Sequence, residues 1–477
     1  MTKHWAYDAV FYHVYPLGLC GAPERNDFSS PPAPRLDKLY AWLDHLQALG
    51  VNALYLGPLF ESSAHGYDTA DYFHVDRRLG DNQTLARLSQ ELHRRGMRLI
   101  LDGVFNHVGR DFWAFRDLRT HLQGSIYCGW FQGLDFNGRS PYGDPFTYQG
   151  WNGHLSLVKL NLHNPWVRQH LFDAIAAWVR EFEIDGLRLD VADCLEPDFL
   201  RALGAFCRGL RPDFWLMGEV VHGDYRRWAN PEMLDSVTNY ECYKGLYSSH
   251  VDRNYFEIAY ALNRQFGPGG LYAGLPLYNF ADNHDVDRVA SSLDDPAHLY
   301  PLYCLLFGMP GVPSLYYGSE WGLPGVRTFG DDRPLRPSLE LERVAHSHNS
   351  SLAQAIARLA QVRHSTPALR YGDYHPLWVS HQQLAFLRSW QGQQVVVAVN
   401  AAGQPAELEL PQPGTRPGIG VWRRAEELRG AEERRFDDLL NPGQGFTVQD
   451  GRLRCQVDPN WGRILVAGQP GDSGGPG

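Results

Sequence analysis

The sequence predicts an α/β protein: a (β/α)8 TIM barrel with an insertion after its third strand and a C-terminal antiparallel β domain. Eight short apolar runs alternate with segments of helical periodicity over the first two-thirds of the chain. Short strands that alternate with helices favour a parallel sheet, and eight of them favour a closed barrel. The 477 residues leave room for a barrel of about 250 residues and for further domains.

The predicted barrel elements follow one another in a regular order. Strands are predicted at 10–15, 52–60, 97–107, 184–189, 214–220, 233–240, 275–285 and 312–320. A first helix is expected over residues 35–49, because leucines recur there at helical spacing, at Leu36, Leu39, Leu43 and Leu46. Two further helices are expected at about 83–95 and at about 165–182.

Two segments depart from the barrel pattern. About 55 residues rich in glycine, proline and aromatic side chains separate the third strand from the helix at 165, and connections of this length are usually functional or form small subdomains. From about residue 376, β-branched and alternating runs lie between Gly/Pro turns. We therefore expect a barrel of residues 1–107 and 164–375, an insertion over its mouth at 108–163, a β-sandwich at 376–467 and a disordered tail at 468–477.

Composition argues against several kinds of partner. The net charge of −10 and the lack of a basic run argue against nucleic acid, and no segment has the apolar length of a membrane span. The N-terminus lacks the apolar region of a secretory signal, and the seven cysteines are scattered without a CxxC pair, so a cytoplasmic protein with reduced thiols is expected. The many Trp and Tyr residues suit the flat faces and hydroxyls of sugars, although protein cores use aromatic residues too.

Polar side chains stand at the ends of four predicted strands, where a buried strand should have none. They are Asp102, Asn106 and His107 in the third, Arg188 and Asp190 in the fourth, Glu219 in the fifth, and Asn283, His284 and Asp285 in the seventh. Each residue taken singly is more often a cap or a loop residue. In a barrel, however, these ends converge on one face, which is where active sites lie. Their coincidence predicts a catalytic carboxylate cluster.

Two of these carboxylates fit complementary roles. Arg188 and Asp190 lie on the same face of a strand, and a neighbouring cation lowers the pKa of a carboxyl, so Asp190 is expected to be ionised, as a nucleophile must be. A structural ion pair at the strand end is the alternative. Glu219 follows an apolar run and is expected to stay protonated as a general acid. Two such carboxyls about 5–5.5 Å apart suit retaining glycoside hydrolysis.

The segments DGVFNH, GLRLDVADC, MGEVVH and FADNHD resemble the four signature regions of the α-amylase family, glycoside hydrolase family 13. HGYDTADYFHVDRRLG and VPSLYYGSEWG are similar to its segments after the second and eighth strands. The resemblance implies that Asp190 is the nucleophile, Glu219 the acid/base and Asp285 a third carboxylate that holds and distorts the sugar. It also implies that other residues line the cleaved sugar's subsite, namely Tyr67, His107, Arg188 and His284, with Asp332 and Arg336 as a further pair.

LVKLNLHNPWVR and GEVVHGDYRRWANPEMLDSVTNY, with Val191, resemble the neopullulanase and cyclomaltodextrinase branch, whose members often accept α-1,6 as well as α-1,4 bonds. FADNHD, in contrast, reads like general amylases, and the N-terminal domain through which this branch usually dimerises is missing before the first predicted strand. The sequence therefore leaves open whether the protein is a monomer or a homodimer. Asp193 and Cys194 stand where many amylases have Lys and His, so the family's calcium site is not predicted and no cofactor is expected. Asn106 is taken as structural.

The expected function is retaining hydrolysis of α-1,4 and α-1,6 glucosidic bonds in short maltooligosaccharides, cyclodextrins or other cyclic oligosaccharides. An endo-acting amylase on starch and a transglycosylase on the same site are the alternatives, and a non-catalytic binding subunit would be expected to lack a carboxylate. Trp130 and Trp151 in the insertion are expected either to stack on sugars at outer subsites or to form the insertion's own core.

Overall fold

Eight parallel strands form the barrel in the computed structural model, which describes residues 4–347, 349–411 and 434–468. The strands are Phe11–Val14, Ala53–Leu56, Arg98–Gly103, Gly186–Leu189, Trp215–Gly218, Ser236–Val237, Tyr278–Phe280 and Val312–Tyr316. They pair in sequence order from first to sixth, and the eighth joins the seventh to the first. A parallel bridge between Thr238 and Tyr278 joins the sixth and seventh strands. The predicted fold class is confirmed, and each predicted segment contains one strand.

The strand register decides which polar residues become neighbours. Asp102 pairs with Arg188 across the third and fourth strands, and Leu189 pairs with Gly218 across the fourth and fifth. Asp190 and Glu219 follow directly and therefore leave adjacent strands at the carboxyl end of the barrel. Below them the barrel interior is filled with buried side chains that include Phe11, Tyr55, Ile100, Met217 and Phe280. The polar cluster thus sits on a packed floor rather than at the mouth of a pore.

Helices connect most of the barrel strands. The α-helices of this part are Pro16–Leu19, Leu43–Ala48, Asn82–Arg94, Pro165–Phe182, Pro197–Leu210, Tyr240–Val251, Phe256–Phe266, Val289–Ser292, Leu299–Gly308, Leu341–Ser347, Ser350–Ser365 and Pro367–Tyr371. The helix expected at 35–49 begins as a 3-10 helix, Arg35–Trp42, and continues as Leu43–Ala48, with its four leucines buried. Helix Asn82–Arg94 begins at a capping box formed by Asp81 and Thr84, which satisfies backbone N–H groups that would otherwise lack partners.

The insertion after the third strand forms a small layer beside the polar strand ends. Its strands His107–Gly109, Gly150–Trp151 and His154–Lys159 pair antiparallel, and its helix is Trp113–His121. Phe115 packs edge to face on Phe131 and Tyr148, with ring centroids 5.1 and 5.0 Å apart. Because the first of these strands begins at His107, the insertion is anchored at the edge of the carboxylate cluster.

The C-terminal part is an antiparallel sheet, as expected. Within the described residues its strands are Asp373–Val379, Gln383–Trp390, Gln393–Asn400, Ala406–Pro411, Arg435–Asp438, Gly445–Gln449, Arg452–Val457 and Trp461–Ala467. The buried guanidinium of Arg388 donates to the backbone oxygens of Gly308 and Gly372, which ties this sheet to the end of a barrel helix. Apart from Gly468, the predicted disordered tail lies outside the described residues. In the described ranges, no helix is long and apolar enough to cross a membrane.

Candidate active site

The buried guanidinium of Arg188 connects three carboxyl groups at the carboxyl end of the barrel. Its Nη1 donates to Asp102 Oδ1 at 2.9 Å and to Asp190 Oδ1 at 3.0 Å, and its Nη2 lies 2.9 Å from Glu219 Oε2. All four residues are buried, and even the Glu219 side chain is only 11% exposed. One cation therefore holds three potential anions together, and the two carboxyls predicted to do chemistry are adjacent.

The turn after Asp190 brings Glu219 into place. Val191 adopts a left-handed backbone conformation, with φ 41° and ψ 50°. A β-branched residue rarely adopts this conformation, and such positions cluster at functional sites. The turn aims the Val191 N–H at Glu219 Oε2, 3.1 Å away, and the next N–H, of Ala192, donates to the Glu219 carbonyl oxygen at 2.9 Å. Glu219 Oε2 thus accepts from two donors.

Asp102 supports Arg188 from below. Its Oδ2 accepts hydrogen bonds from the hydroxyls of Tyr55, at 3.0 Å, and Tyr67, at 3.1 Å. The ring of Tyr67 stacks on His284, with centroids 5.4 Å apart and an angle of 11° between the ring planes. Tyr67 therefore connects the third and seventh strand ends across the cluster.

Asp285 lies on the more open side, with its side chain about a third exposed. His284 Nε2 lies 2.9 Å from Asp285 Oδ2, and Arg336 Nη2 donates to Oδ1 at 2.9 Å. Burial alone would raise the pKa of Asp285, but His284 and Arg336 outweigh it and hold this pKa below its ordinary value. Asp332 in turn pairs with Arg336 at 3.1 Å. Asp285 is consequently a fixed anion.

Asp190 behaves differently from the expectation that Arg188 keeps it ionised. Burial raises the pKa of Asp190 well above its ordinary value; Arg188 lowers it, while Glu219 and Asp102 raise it further. That expectation considered the effect of Arg188 on the pKa of Asp190. It left out the carboxyls of Asp102 and Glu219 and the loss of solvation on burial.

His107 contributes a neutral imidazole. Its Nε2 lies 3.7 Å from Asp190 Oδ2, and among the described residues this buried atom has no hydrogen-bond partner. Burial lowers the pKa of His107 to about 3. Asn106 Nδ2 approaches His107 Nδ1 at 3.1 Å and fixes the ring from the other side. The geometry leaves Nε2 directed into the cleft beside Asp190.

Comparison with known proteins agrees with this geometry. The alpha amylase catalytic-domain model matches residues 36–364, more than half of the chain. The chain belongs to the α-amylase family. It is 33% identical to neopullulanase 2 of Thermoactinomyces vulgaris, over 94% of this chain and 79% of that protein, and 33% identical to a cyclomaltodextrinase of a Bacillus species, over 83% and 73%. Cyclic alpha-maltosyl-(1→6)-maltose hydrolase from Arthrobacter globiformis shares the fold with a TM-score of 0.78, at 27% identity over 97% of this chain and all of that one.

As a member of this family, the protein is a glycoside hydrolase that acts on α-glucans. The two tryptophans of the insertion that were singled out from the sequence, Trp130 and Trp151, differ in position. Trp151 is half-buried, and its ring lies 5.7 Å from that of His107, next to the carboxylates. Trp130 is buried against Trp113 and Tyr127, with ring centroids 5.4 and 5.2 Å apart. The structure thus brings Trp151 to the α-amylase site and places Trp130 in the insertion's core.

One residue of the α-amylase site was not singled out from the sequence. Tyr240, half-buried at the first turn of helix Tyr240–Val251, places its hydroxyl 3.4 Å from Glu219 Oε1. The available signal was its position, because it is the last residue of the predicted sixth strand and therefore reaches the catalytic face. A tyrosine in an apolar run gives no sign of polar function, whereas a carboxylate does.

The residues at the family's calcium position do not form an evident cation site. Among the described residues, no group of three or more His, Cys, Asp or Glu side chains is arranged to hold a metal ion. Asp193 and Cys194 are exposed, and Asn106 directs its amide nitrogen to His107, while its Oδ1 has no hydrogen-bond partner among the described residues. Hard cations such as calcium prefer oxygen ligands, and a thiol at position 194 supplies none.

Proposed function

We propose that this enzyme is a retaining hydrolase of short and cyclic α-glucans, with Asp190 as nucleophile, Glu219 as acid/base and Asp285 as the third carboxylate. The observation that carries the proposal is the Arg188 guanidinium, which holds Asp190 and Glu219 on its two terminal nitrogens. Retaining enzymes need their two carboxyls about 5–5.5 Å apart, and inverting enzymes need space for a water between them. A shared guanidinium favours the shorter separation.

The two oxygens of Glu219 are not equivalent, which supports the acid/base role. Oε2 accepts from Arg188 and from the Val191 N–H, so a proton on the carboxyl belongs on Oε1. In the first step Glu219 gives this proton to the glycosidic oxygen, the bond from that oxygen to the anomeric carbon breaks, and an oxygen of Asp190 forms a bond to the same carbon. In the second step Glu219 takes a proton from water, the water oxygen forms a bond to the anomeric carbon, and the bond from that carbon to Asp190 breaks, which releases the sugar and restores both carboxyls.

Asp285 and its neighbours fit the role of holding the sugar that is cleaved. An anion fixed by His284 and Arg336 accepts hydrogen bonds from sugar hydroxyls, and such bonds strengthen as the ring distorts toward the transition state. His107, neutral and with Nε2 directed into the cleft, adds a polar contact next to Asp190. Tyr67, stacked on His284, offers a wall against the apolar face of the ring. Asp332 acts through Arg336.

The preference for short and cyclic substrates, with both α-1,4 and α-1,6 bonds, is supported by two observations. The insertion strands place Trp151 beside His107, which narrows the approach to the carboxylates. The relatives named neopullulanase 2 and cyclomaltodextrinase, and the structural relative named for hydrolysis of a cyclic tetrasaccharide, point to the same substrate class. A long starch chain must pass the insertion in both directions.

We also propose a cytoplasmic location. All seven cysteines are unpaired, and Cys194 is exposed. Reduced thiols persist in the cytoplasm and are oxidised outside it. Fractionation of the source cells with an antibody would test this, and recovery of the protein outside the cytoplasm would contradict it.

The decisive experiment combines stereochemistry with three variants. Proton NMR of maltotriose hydrolysis should show the α-anomer as the first product, and first formation of the β-anomer would overturn the retaining mechanism. Asp190→Asn, Glu219→Gln and Asp285→Asn should each lower kcat by about 10³-fold or more with the fold intact. Asp193→Asn, an exposed carboxylate in the same turn, is the matched control and should keep full activity. Substantial activity of Asp190→Asn would remove the nucleophile assignment.

A further inference from the structure

The second oxygen of Glu219 has its own hydrogen-bonded connection. Tyr240 Oη lies 3.4 Å from Glu219 Oε1, and this hydroxyl also accepts a hydrogen bond from Asn283 Nδ2 at 3.2 Å. The Asn283 amide oxygen accepts from the backbone N–H of Asp285 at 2.8 Å. Three hydrogen bonds therefore run from the carboxyl on the fifth strand to the backbone that carries Asp285 after the seventh.

Tyr240 is held so that its hydroxyl has one direction left for its proton. The ring packs edge to face on Phe280, with centroids 5.0 Å apart and an angle of 79° between the planes, and the residue is half-buried. Since Asn283 Nδ2 is a donor, it occupies a lone pair of the phenolic oxygen and leaves the O–H to point elsewhere. The facing acceptor is Glu219 Oε1, the oxygen opposite the one that Arg188 and Val191 fix.

We propose that Tyr240, oriented by Asn283, is a positioning residue for the acid/base: it directs Glu219 Oε1 toward the leaving group and stabilises the carboxylate that remains after proton transfer. This inference rests on the proposed role of Glu219. When the Oε1 proton moves to the glycosidic oxygen, Tyr240 keeps its own proton and donates a hydrogen bond to the new anion. The distance is long in the free enzyme, and such catalytic hydrogen bonds tighten when substrate is bound.

The hydrogen bonds through Tyr240 and Asn283 also connect Glu219 with Asp285, the two carboxyls that must act on one sugar. Asn283 binds Tyr240 with its amide nitrogen and the Asp285 backbone with its amide oxygen. A displacement of Asp285 by the bound sugar is therefore transmitted to the hydroxyl that faces Glu219. Arg188 provides the corresponding connection between Asp190 and Glu219, so the acid/base is held from both sides.

The test uses Tyr240→Phe, which removes one oxygen and keeps the ring on Phe280. On maltotriose, whose leaving group needs a proton, kcat should fall about tenfold with KM little changed, because a hydrogen bond to a charged group is lost. On α-maltosyl fluoride, whose fluoride leaves without a proton, the rate of the bond-breaking step should stay within about twofold of the unchanged enzyme. The basic limb of the kcat/KM profile on maltotriose should move to higher pH by about one unit, the equivalent of a tenfold weaker stabilisation of the anion.

Two further variants keep the result decisive. Tyr243→Phe, from the same helix and stacked on Phe280 with centroids 5.1 Å apart, should behave like the unchanged enzyme. Asn283→Asp, which keeps an acceptor for the Asp285 backbone N–H and removes the donor to Tyr240, should reproduce the maltotriose loss and spare the fluoride, and it decides the matter if Tyr240→Phe does not fold. An equal loss on both substrates, or an unchanged pH profile, would overturn the positioning role. An unchanged enzyme that cleaves neither substrate would instead overturn the proposed function.

Discussion

Replacing Asp190 by Asn should stabilise the protein while it abolishes activity. The reason is the charge balance around Arg188, whose single cation serves Asp102, Asp190 and Glu219. The attraction between Arg188 and Asp190 is worth about 4 kcal/mol at an effective dielectric constant near 20. Burial is the largest cause that raises the pKa of Asp190, and the carboxyls of Glu219 and Asp102 raise it further, so together they outweigh this attraction.

The Asp190→Asn substitution would remove the free-energy cost of the buried charge without leaving the Arg188 cation unpaired. The guanidinium keeps Asp102, at 2.9 Å, and Glu219, at 2.9 Å, and the amide oxygen of an asparagine can still accept from Nη1. A net stabilisation of about 1–2 kcal/mol is expected, which is typical when a functional group that costs stability is removed. In a chain of this length that corresponds to a rise in Tm of about 1–3 °C.

The pH dependence of this difference identifies its cause. Because the folded-state pKa of Asp190 lies above the unfolded one, the penalty is present at neutral pH and disappears as the pH falls below about 4, the ordinary pKa of aspartate. The Tm advantage of Asp190→Asn should therefore shrink steadily from pH 7 toward pH 4. Differential scanning calorimetry of both proteins across this range is the assay, with Asp193→Asn as the control for an exposed carboxylate.

Two results would refute the reasoning. A Tm that is several degrees lower for Asp190→Asn at pH 7 would mean that the ion pair with Arg188 outweighs burial and repulsion. A gain that does not depend on pH would mean that the stabilisation comes from packing rather than from the lost charge.

Further predictions follow from the same geometry. Arg188→Met should lower stability by about 3–5 kcal/mol, because it leaves buried carboxylates without their cation, and urea unfolding will measure it; a loss below about 1 kcal/mol would contradict the assignment. His107 should show no titration between pH 5 and 8 in proton NMR, since burial lowers its pKa to about 3; a midpoint near 6.5 would show that water reaches the ring. Trp151→Ala should raise KM for maltotriose and leave Tm nearly unchanged, whereas Trp130→Ala should cost about 3–5 kcal/mol of stability, and the reverse pattern would exchange their roles. Dialysis against a chelator should change neither rate nor Tm, and a loss restored by calcium would reveal a cation site. Finally, kcat/KM should be higher for maltotriose and a cyclodextrin than for soluble starch, and a preference for starch would indicate an open cleft.

Local patterns along the chain were enough to predict the barrel, the antiparallel C-terminal sheet and the residues at the strand ends. Alternating periodicities identify strands and helices locally, and a carboxylate at the end of an apolar strand is visible because burial would otherwise exclude it. For this reason Asp190, Glu219 and Asp285 could be named before any contact was known, and the structure places them together around Arg188, His284 and Arg336.

Properties that depend on neighbours distant in sequence became visible only in the folded protein. Trp130 and Trp151 are the same residue type in one insertion, yet one packs on Trp113 and the other lies beside His107, because Trp130 ends the 3-10 helix Cys128–Trp130 and Trp151 lies on an antiparallel strand. Tyr240 gained a polar role from where its helix begins relative to Glu219. The raised pKa of Asp190 followed from burial and from carboxyls 88 residues before it and 29 after it in the chain. Burial and long-range electrostatics are sums over the folded neighbourhood, and local patterns in the sequence do not contain them.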